Sequence, residues 1–122
     1  MSATEAAAAP FQLPPQPTPA DIVAKYFRAF GDPTRVRILE ALREGELPVG
    51  EIVSRVGASQ TGVSNHLACL RWCGFVETRR EHRSIYYRLA DERVAAMLEL
   101  AHSLLADNSE HVAVCRHIEG SA

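Results

Sequence analysis

The sequence predicts a mainly α-helical fold with a small β-hairpin, a winged helix-turn-helix that forms a homodimer through its first and last helices. Three observations predict it. A short helix, a glycine turn and a longer helix with a polar face follow one another between Val49 and Gly74. After Gly74 the apolar spacing changes from helical to alternating, as in a hairpin set beside the helix pair. The two end helices carry more apolar surface than so small a domain buries internally.

Residues 1–18 are Ala-rich and then Pro-rich, with Pro10, Pro14, Pro15 and Pro17, and read as a disordered or extended tail. The first ten residues contain no Lys or Arg and no long apolar core, which argues against a secretory signal. No apolar run approaches the roughly 18 residues that span a bilayer. We therefore expect a cytoplasmic protein without a membrane partner, whose three cysteines are thiols rather than disulfides.

The domain is expected over residues 19–107. Thr18 caps a first helix with Pro19 at its first position, and Ile22, Val23, Tyr26, Phe27 and Phe30 form its apolar stripe up to Gly31. Asp32-Pro33 opens a second helix with Val36, Ile38, Leu39 and Leu42 apolar and Gly45 as its stop. Leu47-Pro48 begins a third, Val49 to Val56, ended by Gly57. Ser59 then caps the fourth, whose Val63, Leu67 and Leu70 recur at helical spacing before Gly74 ends it. Its first half leaves Gln60, Thr61, Ser64, Asn65 and His66 free, short polar groups of the kind that reach base edges in a major groove. For His66 a contact-free helix surface is an equal reading.

Phe75–Arg80 and Ser84–Leu89 are strand-like, with Glu81-His82-Arg83 as the tip between them. Arg79, Arg80 and Arg83 are placed to touch phosphates, which adds affinity without base specificity. The alternative is a solvated hairpin with chance arginines. Asp91 caps the last long helix, with Val94, Met97, Leu98, Ala101, Leu104 and Leu105 on one face. This stripe and the one on the first helix are expected to meet twofold mates in a homodimer, the alternative being a monomeric core closed by both.

Charge divides the chain. The formal net charge is −2, yet residues 35–88 balance to +3 and residues 89–122 to −4. A basic middle and an acidic end fit a DNA face on one side and a solvated dimer or sensor region on the other.

Cys69 and Cys73, four apart on the fourth helix, share one face with roughly 5–6 Å between Cβ atoms, within reach of one metal ion. The competing reading makes them small buried hydrophobes. Catalysis by a Cys nucleophile and a His base is not expected, because no Gly-rich turn or oxyanion site accompanies them.

Asp32-Pro33-Thr34-Arg35-Val36-Arg37-Ile38-Leu39, Val63-Ser64-Asn65-His66-Leu67 through Leu70-Arg71, Gly74-Phe75-Val76 and Ser84-Ile85-Tyr86-Tyr87-Arg88-Leu89 resemble the ArsR/SmtB family of metal-sensing winged-helix repressors. The resemblance runs from about Ile22 to Leu105. It implies a dimer that represses a metal-resistance operon by binding double-stranded operator DNA and leaves the DNA when metal binds. One family metal site, a Cys-x-Cys before the recognition helix, is missing from Glu46-Leu47-Pro48-Val49-Gly50-Glu51. Another, on the last helix, has Asp91 and Asp107 but Arg93 and Leu104 where histidines are needed. A third type, the CmtR-like cadmium/lead sensors, uses two cysteines four apart and one in the C-terminal tail, which Cys69, Cys73 and Cys115 match. The tail is accordingly expected over residues 108–122.

Three thiolates suit Cd(II) or Pb(II), whereas Zn(II) prefers a fourth ligand, for which His111 and His117 are candidates. As(III) or an oxidant acting on the same thiols is the nearest alternative, and a DNA-binding dimer that senses nothing is a further one. One departure from the family lies in the wing, where His82 replaces the usual tip glycine.

Overall fold

The computed structural model describes residues 17–115. Most of the expected N-terminal tail, and His117, lie outside the described residues.

Helix α1, Pro19–Ala29, opens as its residues dictate. The Asp21 N–H donates to the Thr18 hydroxyl at 3.1 Å, and the Thr18 N–H donates to the Asp21 carboxylate at 2.9 Å. Helix α2, Pro33–Ala41, is capped by Asp32, which accepts the Arg35 N–H at 3.1 Å. It tightens into a 3₁₀ turn, Leu42–Glu44. Strand β1 is Leu47–Pro48, helix α3 is Val49–Val56, and helix α4, the expected recognition helix, is Gln60–Trp72. Ser59 caps α4 by accepting the Gly62 N–H at 3.0 Å. At its other end Gly74 lies at φ 85°, which lets the Phe75 N–H reach back to the Leu70 carbonyl at 2.9 Å.

That closure drives Phe75 into the core. Its ring stacks on Tyr26 at 4.4 Å and meets Phe30 edge-on at 4.8 Å, tying the end of α4 to α1. Ile38, Leu39, Ile52, Val63, Leu67 and Leu70 are fully buried beside it.

Strands β2, Val76–Glu81, and β3, Ser84–Leu89, form the expected wing, antiparallel from Val76 opposite Leu89 to Glu81 opposite Ser84. The sheet has a third strand, because Leu47-Pro48 pairs with Tyr87 and Tyr86 of β3 before α3 begins. Leu47-Pro48 reads in the sequence only as a helix start. Pro48 serves both roles, since its extended backbone caps α3 and an edge strand tolerates its missing N–H. At the wing tip His82 adopts φ 58°, the left-handed conformation a glycine would supply. Histidine is among the side chains that tolerate it, so the hairpin closes without the glycine.

Helix α5, Glu92–Leu105, packs inward through Val94 and Leu98. A short helix α6, Ser109–Ala113, follows it, an element the sequence did not announce. The outer faces of α1 and α5 remain uncovered in the single chain: Phe27 is 57% exposed, Leu100 59% and Leu104 62%. Between them lies an apolar groove of about 570 Å³, lined by Phe27, Phe30, Met97, Leu100, Leu104 and Leu105 among others. The two stripes therefore do not close a monomeric core. Among the described residues no helix is long and apolar enough to cross a membrane.

Candidate nucleic-acid interface and thiol site

Helix α4 turns Val63, Leu67 and Leu70 into the core, and this phase sends Gln60, Thr61, Ser64 and Asn65 to solvent. These four form an exposed polar face. His66, expected with them, is instead half-buried against the scaffold. Its Nδ1 lies 3.3 Å from Arg35 Nη1, and its Nε2 lies 3.8 Å from the Asp32 carboxylate. Arg35 also donates from Nε to the Ala29 carbonyl at 2.8 Å and from Nη2 to the Arg28 carbonyl at 3.1 Å. Burial works to raise the Asp32 pKa, but the Arg35 N–H and the neighbouring His66 outweigh it and hold the carboxyl below its ordinary value.

The wing arginines differ among themselves. Arg79 donates to both Glu46 carboxylate oxygens at 2.8 and 2.7 Å, pairs with Glu81 at 2.6 Å and lies 4.7 Å from the Tyr86 ring centroid. Its carboxylate partners, Glu46 first, raise its pKa above the ordinary arginine value. With its charge matched inside the chain, Arg79 is a brace for the wing. Arg80 and Arg83 are exposed at the outer end of the hairpin. Asp91, the cap of α5, accepts from Arg93 at 2.8 Å through both its backbone N–H and Nη2. These bonds pull its carboxyl pKa down to about 2.

Cys69 and Cys73 are free and exposed, so they are not buried hydrophobes. Partial burial raises the pKa of the Cys73 thiol, and the adjacent Cys69 thiol adds to it, while the Lys25 and Arg35 charges act in the opposite sense. Cys115 is half-buried just beyond α6, its N–H donating to the Val112 carbonyl at 3.2 Å, and His111 is exposed on α6. Among the described residues no three His, Cys, Asp or Glu side chains are grouped to hold a metal ion. The described part of one chain brings Cys69 beside Cys73 and leaves Cys115 outside that group.

Two residues near the thiols were missed in the sequence. Trp72, the single tryptophan, is 92% exposed immediately before Cys73. Its place out of phase with Leu67 and Leu70 was a legible signal. Arg35 was visible only as part of a motif, because its bonds to the end of α1 and to His66 depend on tertiary packing.

Comparison with known proteins places this geometry among regulators. Residues 32–78 match the family described as bacterial regulatory protein, arsR family. The chain is 42% identical over 103 residues to a probable mercury resistance operon repressor of Streptomyces lividans, spanning 84% of this chain and 82% of that protein. It is 42% identical over 93 residues to the transcriptional regulator CmtR of Mycobacterium tuberculosis, spanning 75% of this chain and 79% of that one. A homodimeric winged helix-turn-helix DNA-binding domain of Mycobacterium bovis, solved in solution, superposes with a TM-score of 0.68 at 32% identity, covering 91% of this chain and 93% of its own.

Proposed function

The chain belongs to the arsR family of bacterial regulatory proteins, and from that premise we propose that its DNA-binding dimer is released from an operator by Cd(II) or Pb(II) held on cysteine thiolates. By family it is a DNA-binding transcriptional repressor and not an enzyme. The proposal concerns its inducer, its assembly and the residues that carry each.

The observation that carries the reading is that one helix holds both surfaces. Gln60, Thr61, Ser64 and Asn65 face solvent from the first half of α4, and Cys69 on its second half lies exposed and adjacent to Cys73 at its C-cap. Two such sulfurs form the start of a site for a soft, thiophilic ion. The third sulfur is assigned to the partner subunit's Cys115, because the described residues of one chain do not bring Cys115 to the pair. His111 or His117 completes the set where Zn(II) takes the site.

The uncovered faces of α1 and α5 supply the twofold contact, in keeping with the homodimeric relative from M. bovis. A dimer of this kind holds its reading helices about 34–36 Å apart, one turn of DNA. Arg80 and Arg83 then add phosphate contacts from the wing. Such a regulator works in the bacterial cytoplasm, where its operator is.

Metal displaces DNA only if its preferred arrangement of α4 differs from the one DNA selects, and the coupling is reciprocal. A second reading draws on the same adjacency of thiols: As(III), or oxidation of the pair, triggers release.

One assay separates the readings. Operator affinity is measured with Cd(II), Pb(II), As(III), peroxide and Hg(II), the last included because of the S. lividans relative, for the wild type and for Cys69→Ser, Cys73→Ser and Cys115→Ser. Sulfur-to-metal absorption and Trp72 emission report occupancy. Cd(II) or Pb(II) is expected to weaken operator binding by about 5–150-fold in the wild type, the usual span of such couplings. Each serine variant is expected to lose that response. Bound Cd(II) with unchanged operator affinity sinks the proposal.

A further inference from the structure

We infer that Arg35 is the positioning residue through which the thiol site acts on the reading helix. The inference rests on the proposed function above and adds the part that connects its two surfaces.

Arg35 lies at the first turn of α2, and its guanidinium is shared between two other elements. Toward α1 it donates to the carbonyls of Ala29 and Arg28, at 2.8 and 3.1 Å. Toward α4 it reaches His66 Nδ1 at 3.3 Å from its third nitrogen. The planar fork allows this only while α1 and α4 keep their present relation, because Nε and Nη2 share the edge that meets the α1 carbonyls while Nη1 of the same rigid group meets His66. The carbonyls it engages belong to the last turn of α1, where the helix dipole favours a cation, and that of Arg28 also accepts the Gly31 N–H at 3.0 Å. Arg35 therefore acts as a clamp between the helix expected at the dimer contact and the helix expected at the operator.

His66, Cys69 and Cys73 follow one another at intervals of three and four, so they lie along one face of α4. The His66 end of that face meets the clamp. The Lys25 and Arg35 charges act against the raised pKa of the Cys73 thiol, and the Asp32 carboxylate lies 3.8 Å from His66. A divalent ion on Cys69, Cys73 and a third thiolate would give that end of α4 net negative charge near the Arg35 guanidinium, whose partners on α1 are neutral carbonyls. Charge-assisted bonds to thiolate compete with the bond to His66. When Arg35 turns toward sulfur, α4 loses its tie to α1, and the reading face changes its angle to the dimer axis. An all-or-none loss of one tie is the kind of two-state element that converts occupancy into release.

The test compares the wild type with Arg35→Lys, which keeps the charge but not the fork, and with His66→Ala, which removes the acceptor on α4. Operator affinity is measured with and without Cd(II), occupancy is followed by sulfur-to-metal absorption, and folding by thermal melting. The readout is the ratio of the two affinities, which a purely structural role would leave alone by weakening both states together. In both variants Cd(II) is expected to bind while the ratio falls from the wild-type range of about 5–150 to within about twofold of one. The double variant is expected to be no worse than either single change, because both cut the same tie. A wild-type ratio that survives in both variants, at full Cd(II) occupancy, overturns the inference and leaves the proposed function standing. A wild-type ratio of one overturns both.

Discussion

The two halves of α4 differ more than their shared helix suggests. From Gln60 to Asn65 the outward side chains are short, polar and turned to solvent. From His66 to Cys73 the same rod is engaged by the scaffold: His66 by Arg35 and Asp32, and the end of the helix by the Phe75 closure against Tyr26 and Phe30. One half is exposed, and the other is tied to the scaffold at His66 and at the closure onto Phe75. A regulator needs this division, because a reading face can change its angle only if something else sets that angle.

The comparison breaks most completely at Phe75. Phe75→Ala empties a fully buried site at the hinge between α4 and α1 and is expected to cost about 3–5 kcal/mol in chemical denaturation. Loss below about 1 kcal/mol would show that the second half is not anchored there. The free half is probed by Asn65→Ala, expected to weaken operator binding by about 1–3 kcal/mol, with the melting temperature and Cd(II) occupancy unchanged. Equal weakening on operator and random DNA would remove Asn65 from the reading face.

The smallest effect sharpens the held half. Since burial and the neighbouring Cys69 both raise the Cys73 pKa, the alkylation rate of Cys73 in the metal-free protein should rise with pH to a midpoint above that of an ordinary thiol. Cys69→Ser removes one of those causes, so the midpoint should move down. An unmoved midpoint would mean that the two sulfurs do not sense each other.

Much of this arrangement was legible in the residues. Thr18, Asp32, Ser59 and Asp91 cap the helices that begin beside them, and Gly57 and Gly74 end theirs in the left-handed region, because caps and stops are local chemistry. The adjacency of Cys69 and Cys73 follows from helical spacing alone. The wing was visible as a change of period, but β1 was not, since two residues carry no alternation and Pro48 reads as a helix start.

Pattern alone could neither assign His66 nor tell Arg79 from Arg80 and Arg83. Which groups meet Arg79 depends on Glu46, distant in sequence, and on Glu81 and Tyr86 of the folded hairpin.

What the sequence determined by itself was the five main helices and the wing, the inward residues of the fourth helix and the adjacency of Cys69 and Cys73, because all of these follow from spacing and side-chain chemistry within a few turns. Only the tertiary structure decided that His66 faces Arg35, that Arg79 braces the wing, and that Cys115 lies outside the Cys69 and Cys73 group of its own chain. Each of these is a distance between residues far apart in the chain, and such distances are set by how the core closes around Phe75 and its neighbours.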